Sequence, residues 1–269
     1  MANKLTRYTN LKCIGEGSQG QVISGKDNVN SRQVAIKIYD AKNISALNEV
    51  RVLSRIQKLG LKGSVELYET FLEQNRFFII MEMIKGEELH NLVTSNDLLP
   101  MNDVKRLFKQ VLTAVNELHE NNICHLDLKL ENIMVDPKQQ EIKLIDFGFA
   151  EFTKETADQR NEKMISQFRG SIHYSAPEIV RNIPFDGKKA DIWALGVLLY
   201  ILITKRFPFP GNENDYDDYR AVAQQIVNHQ LTFNGPFTPQ VISLIELMLQ
   251  SDPTKRLPIK YLLQHPWLN

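Results

Sequence analysis

Near residue 85 the apolar pattern of this 269-residue chain changes from strand-like to helical, and that change limits what it can fold into. Before it, short runs rich in β-branched and aromatic residues predict strands over 8–15, 20–25, 33–39, 65–71 and 77–83. One helix interrupts them over 43–59, with Leu47, Val50, Leu53, Ser54 and Ile56 near helical spacing. After residue 85, Val104, Leu107, Phe108, Val111, Val115 and Leu118 recur at intervals of three and four, which predicts an amphipathic helix over 102–120. Two short strands over 132–135 and 141–144 flank an Asp136-Pro137 turn, and 150–170 is a long polar loop. Helices follow over 189–204, 218–228, 239–249 and 258–264. The expected architecture is α+β in a single domain. A small antiparallel N-terminal lobe with one key helix (8–84) joins a larger, mainly helical C-terminal lobe (85–269).

Chemistry-bearing residues are set into this frame at suggestive places. Gly15-Glu16-Gly17-Ser18-Gln19-Gly20-Gln21-Val22 lies between two predicted strands. Glycines there let backbone N–H groups approach a phosphate closely. A dinucleotide site is the rival reading, but it requires a helix directly after the glycines, and Val22-Ile23-Ser24 reads as a strand. Lys37 follows in Val34-Ala35-Ile36-Lys37; an ammonium in an apolar strand needs an anion to offset its lost hydration. Phosphate oxygens and the carboxylate of Glu49, on the next helix, would serve. Farther on, His125-Leu126-Asp127-Leu128-Lys129-Leu130-Glu131-Asn132 offers a carboxylate, a cation and an amide oxygen within six residues. Phosphoryl transfer uses such groups to orient a hydroxyl, steady developing charge and hold a metal. Asp146-Phe147-Gly148 ends the apolar stretch 142–145, where an acidic side chain suits a hard cation sharing phosphate ligands.

Composition narrows the setting. Lys+Arg and Asp+Glu both number 32, so the formal charge is zero and nothing points to nucleic acid or an anionic membrane as partner. Two cysteines, Cys13 and Cys124, exclude a disulfide framework and are expected to be small buried side chains. No signal-peptide pattern opens the chain, and Ala2 rules out N-myristoylation. The strongest apolar run, 192–203, falls short of the about 20 residues that span a bilayer and predicts a buried core helix. An intracellular, cytoplasmic protein is expected.

With Ala176-Pro177-Glu178, Asp191-x-Trp193-x-x-Gly196, Arg256 and His265-Pro266-Trp267 added in order, the sequence resembles a eukaryotic protein kinase domain from about Tyr8 to Leu268. The resemblance implies a Mg²⁺-dependent kinase (Mn²⁺ as a substitute) that moves the γ-phosphoryl group of ATP to protein hydroxyls. Asp127 would be the catalytic base, Lys129 would steady the transferring group, and Lys37 would hold phosphates and pair with Glu49. Asn132 and Asp146 would bind the metal. Ile14, Val22, Ala35 and Met134 would enclose adenine beneath the Gly15, Gly17 and Gly20 loop, with Met81 behind it. Backbone groups of Glu82 and Met83 would meet the adenine edge. Glu88 would bind ribose or, with Glu131, basic residues upstream of the acceptor, and the acidic residues Glu213, Asp215, Asp217 and Asp218 would lie nearby. Leu53, Leu67, His125 and Phe147 would stack on Asp191, and Glu178 would pair with Arg256. Lys129 and the 170–178 segment, with Ser171 near the base, resemble serine/threonine kinases, most of all the calcium/calmodulin-dependent group. The alternative is a pseudokinase-type binding scaffold, whose usual mark is loss of Lys37, Asp127 or Asp146; all are present. Thirteen residues follow Arg256, so an autoinhibitory tail or calcium-binding module is not expected within this stretch, and regulation would lie in other segments or chains.

Two departures stand out. Leu130 replaces the usual proline, and Leu126 replaces the usual arginine before the base. Leucine cannot pair with a phosphorylated loop. Phosphorylation at Thr153, Thr156 or Ser166 is therefore not expected to be required, unless Arg169 compensates.

Overall fold

Alternation along one strand organises the N-terminal part. In the computed structural model, which describes residues 4–17, 20–95, 98–136, 141–153, 163–166, 170–212 and 218–269, β3 is Arg32–Asp40. Its Val34 and Ile36 side chains enter a small apolar cluster with Tyr8, Ile23, Phe71, Phe78 and Ile80. The intervening Ala35, Lys37 and Tyr39 face the other way, as a period of two requires. Around β3 lie β1 (Tyr8–Gly17), β2 (Gly20–Asp27), β4 (Leu67–Glu73) and β5 (Arg76–Glu82). They form an antiparallel sheet in the order β1-β2-β3-β5-β4.

Helix α1 (Ile44–Leu59) packs against β4 of this sheet. Asn43 caps it by accepting from Ser45 N at 2.9 Å, and Gly60, with φ of 68°, terminates it. Its buried stripe is Ala46, Glu49, Val52, Leu53 and Ile56. Leu47, expected on that stripe, is 59% exposed, and Ser54 is also exposed. The difference has a physical cause: the inward face carries the charged Glu49, so the apolar pattern alone points to a face rotated from the true one.

The helical part is assembled around α3 (Met101–Glu120) and α5 (Gly187–Thr204). The α3 stripe of Val104, Leu107, Phe108, Val111, Val115 and Leu118 is buried as its spacing demands. Every residue of α5 from Ala190 to Ile203 is buried, consistent with its all-round apolar sequence. Beside them lie α2 (Leu89–Ser95), α4 (Pro177–Val180), α6 (Tyr219–Val227), α7 (Pro239–Met248) and α8 (Ile259–Leu262). A hydrophobic core continues from Tyr39 and Leu53 through Phe147 to Trp193 and Trp267, joining the sheet to the helices. Among the described residues, no helix is long and apolar enough to cross a membrane.

Short strands set the functional loops. β6 (Glu87–Glu88), β8 (Ile133–Asp136) and β9 (Glu141–Leu144) form one small sheet below the cleft. β7 (Ile123–Cys124) pairs with β10 (Glu151–Phe152), and β11 (Met164–Ile165) with β12 (Phe185–Asp186).

Candidate active site

The β3 alternation delivers Ala35 and Lys37 to a cleft between the sheet and the helices. Lys37 is 5% exposed, and its Nζ lies 3.1 Å from Glu49 Oε1 and 2.7 Å from Asp146 Oδ1. Burial works against its charge, but Glu49 and Asp146 outweigh burial and hold its pKa well above the ordinary lysine value. Burial likewise opposes ionisation of Asp146, yet the Lys37 ammonium holds that carboxyl below its usual range. The second Glu49 oxygen accepts a hydrogen bond from the buried Tyr39 hydroxyl.

A pair of helix–loop contacts shapes the opposite wall. Leu126 has φ of 63°, a left-handed conformation costly for a leucine. It is held by Asp191, whose oxygens accept from Leu126 N at 2.8 Å and His125 N at 2.9 Å. His119 Nε2 lies 2.8 Å from the same carboxylate. The turn presents Asp127, with Lys129 Nζ 2.9 Å from its Oδ2. Asn132 Nδ2 donates to Asp127 O and to Oδ2, both at 2.8 Å.

Hairpin register explains how Asn132 and Asp146, distant in sequence, come to share a wall. Ile133 pairs with Leu144, and Ile145 N donates to Asn132 O at 2.9 Å just beyond. The next residue is Asp146, also left-handed at φ of 57° and accepting from Gly148 N at 3.1 Å. Phe147 turns into the core, its ring centre 5.0 Å from that of His125, and belongs to the same buried cluster as Leu53 and Leu67.

The cleft holds about 400 Å³ and is largely apolar, the character of a small-molecule site. Ile14, Val22, Ala35, Met81 and Met134 line it, as do Lys37, Glu49, Glu82, Met83, Glu88, Lys129, Glu131, Asn132 and Asp146. Val65, Ile84 and Ile145 also line it and were missed in the sequence, where each is one apolar residue within or next to a predicted strand. Asp127 is not among the lining residues; it sits beside a smaller cavity shared with Ser171. Among the described residues, Gly15 and Gly20 do not line the cleft either, and Ser18 and Gln19 lie outside the described residues. Gly20 must be glycine: a Cβ would sit 2.3 Å from Ile38 O, at a φ of 155°. Glu131 Oε2 is buried without a hydrogen-bond partner in the cleft wall, a carboxylate oxygen suited to a cationic guest.

Among the described residues no cluster of three or more His, Cys, Asp or Glu side chains could hold a metal. Asn132 and Asp146, both in the cleft wall, could supply two oxygen ligands, a set that fits a Mg²⁺ completing its shell with phosphate and water.

Leu126 packs with Cys124, Ile165, Phe185 and Ala190 in a separate apolar cluster. Of the hydroxyls whose phosphorylation is not expected to be required, Thr153 is 1% exposed and closed to solvent, whereas Ser166 is exposed. Thr156 and Arg169 lie outside the described residues, as do Glu213, Asp215 and Asp217. Asp218 is engaged in capping α6, accepting from Arg220 N and Ala221 N. Cys124 is buried, but Cys13, expected to be buried too, is exposed because β1 is an edge strand.

Comparison with known proteins agrees with this geometry. The protein kinase domain family matches residues 8–268. Serine/threonine-protein kinase SIK1 of Rattus norvegicus is 31% identical over 264 residues, covering 97% of this chain and 32% of that protein. CBL-interacting protein kinase 31 of Oryza sativa subsp. japonica is 30% identical, covering 98% of this chain and 58% of its own length. Calcium-dependent protein kinase 4 of Plasmodium berghei (strain Anka) is 32% identical, covering 97% and 49%. The chain thus spans a third to somewhat over half the length of these relatives.

Proposed function

The chain belongs to the protein kinase domain family, with relatives in its calcium/calmodulin-dependent group, and we propose that it phosphorylates serine and threonine hydroxyls of proteins, using ATP and Mg²⁺. The observation that carries this reading is the Lys37–Glu49–Asp146 group sharing one cleft with Lys129 and Asn132, both of which contact Asp127 at its edge.

In this reading adenine lies between Ile14, Val22 and Ala35 above and Met134 below. Glu82, Met83 and Ile84 meet its edge. Lys37, kept charged by its carboxylates, holds the α- and β-phosphates. Asn132 and Asp146 would hold Mg²⁺, which supplies charge neutralisation to the phosphates. Asp127 orients the acceptor hydroxyl and takes its proton as the new P–O bond forms and the bond to the β-phosphate bridge breaks, releasing ADP. Lys129 balances charge on the transferring group.

Substrates with Arg or Lys upstream of the acceptor fit the carboxylates of Glu88 and Glu131, the latter with its unpartnered buried oxygen. The apolar cluster around Leu126 supports activity without a phosphorylated activation segment. An intracellular site of action suits two unpaired cysteines, one of them exposed. No observation favours the scaffold alternative.

The test is transfer of labelled γ-phosphate to a serine peptide with upstream arginines, beside a neutral counterpart. Asp127→Asn should lower turnover by about 10²–10⁴, and the basic peptide should be preferred. Absence of transfer to any peptide by the wild type, or full activity in Asp127→Asn, would refute the assignment.

A further inference from the structure

Glu49 is useful to Lys37 only while α1 stays in place, and the structure contains two contacts that hold it there. Tyr39 sits two residues beyond Lys37 on the same face of β3 and is 1% exposed. Its hydroxyl donates to Glu49 Oε2 while Lys37 Nζ engages Oε1 at 3.1 Å, so both oxygens are tied to one strand. Lys37 Nζ also lies 5.3 Å from the Tyr39 ring centre, completing a compact three-residue group. Burial and the adjacent Glu49 push the phenol's pKa well up, which keeps the hydroxyl a donor.

The residue before Glu49 makes the second contact. Asn48 Nδ2 donates to Ala150 O at 2.6 Å, two residues past Asp146-Phe147-Gly148. Ala150 N in turn donates to Phe147 O at 3.1 Å, so this contact reaches the turn that carries Asp146. Adjacent residues of α1 are thus fastened to β3 and to the Asp146 loop.

We propose that Tyr39 and Asn48 are positioning residues that hold Glu49 against Lys37, keeping α1 in the phosphate-binding arrangement through contacts built into the fold. This rests on the kinase reading above. Withdrawing α1 would strand a buried hydroxyl and a buried ammonium without their shared carboxylate, and each loss is costly in a dry interior.

The experiment is a double-mutant cycle between Tyr39→Phe and Glu49→Gln, with Asn48→Ala as a second single variant. Tyr39→Phe keeps the ring in the core and removes only the hydroxyl. It should lower kcat/KM for ATP by about tenfold, the scale of a hydrogen bond to a charged group. In the Glu49→Gln background the same change should have almost no further effect, because the hydroxyl acts through the carboxylate. Asn48→Ala should give a smaller loss of the same kind. An unchanged kcat/KM in Tyr39→Phe would overturn the proposal. So would an undiminished loss in the Glu49→Gln background, which would mark a packing role. Calorimetric titration of ATP with Mg²⁺ through the same cycle separates this inference from the assigned activity. If the wild type transfers no phosphate but the two residues couple in ATP affinity, the positioning role stands and the kinase assignment falls. Absence of coupling in both measurements removes the positioning role alone.

Discussion

Glu178–Arg256 in the helical part and Lys37–Glu49–Asp146 in the cleft use the same kinds of charge at similar distances, but they are enclosed differently. Arg256 is 0% exposed. Its Nη1 and Nη2 meet Glu178 at 2.6 and 2.8 Å, Nη1 also donates to Lys189 O, and Nε donates to Gln250 O. The guanidinium plane lies 5.1 Å from the Trp193 ring centre. The planar fork is spent on the protein itself, joining α4 to the segment before α8. The cleft group is also buried at Lys37 and Glu49, yet all three of its residues line an open cavity, and the Asp146 side chain keeps 33% of its surface exposed. A closed charge pair specifies architecture; one that borders a cavity is available for a ligand.

The largest expected effect separates the two. Arg256→Ala leaves Glu178 buried and uncompensated, which should cost about 3–5 kcal/mol of stability, read as a fall in the urea midpoint. In the cleft, Lys37→Met should reverse the pattern, with kcat falling by about 10²–10³ and a smaller loss of stability. Without its lysine, buried Glu49 can take up a proton and Asp146 can reach water. Equal stability losses in the two variants would break the distinction between a closed and an open charge group.

A third pair lies between these extremes. Arg7 grips Asp27 through Nε and Nη2 at 2.6 and 2.7 Å, with Asp27 shielded and the Arg7 side chain 27% exposed. The hydrogen bond from Arg7 holds the Asp27 carboxyl well below its usual range, helped by Asn30 and Val29. Because the folded pKa is depressed, this contribution is complete above the unfolded value of about 4 and is lost progressively as pH falls below it. Its size should be on the order of 1 kcal/mol, since the arginine remains partly solvated. The measurement is the stability difference between wild type and Asp27→Asn at pH 7 and pH 3, which should shrink at the lower pH. A difference that stays constant would mean that the Asp27 carboxyl titrates alike in the folded and unfolded states, so that Arg7 does not hold it charged.

These contrasts show what the sequence can and cannot convey. Lys37, Asp127, Asn132 and Asp146 were legible because each is a charged or amide residue next to an apolar strand, in an order that leaves few other uses. Tyr39 was not: in a strand it reads as one more aromatic residue, and its partner lies on a helix ten positions away. The true face of α1 was hidden by Glu49 itself. α2 and α4, at seven and four residues, are too short to establish a period. Val65, Ile84 and Ile145 became cleft walls only through folding, since nothing distinguishes such aliphatic residues from ordinary core.

The smallest expected effect concerns the place where charge was replaced altogether. An arginine at Leu126 would need an anion on the activation segment, but here Leu126 meets Ile165 of β11 and Phe185 of β12 in a cluster with Cys124 and Ala190. On the other side, β10 pairs with β7 and Thr153 N donates to Asn122 O at 2.9 Å, fastening the beginning of the segment to the helical part. Apolar contacts and backbone hydrogen bonds are present at all times, whereas a phosphate–arginine pair exists only after modification. Thr153 is sealed within this arrangement, and Ser166 lies on its surface. Alanine at Thr153, Thr156 and Ser166 together should therefore change turnover by no more than about twofold, the usual range for substitutions that remove no supporting contact. The assay is phosphate transfer by protein purified after phosphatase treatment, beside the untreated enzyme. A fall beyond about tenfold in either the treated enzyme or the triple variant would show that charge, not apolar packing, orders the segment, and that Leu126 has been compensated by another cation.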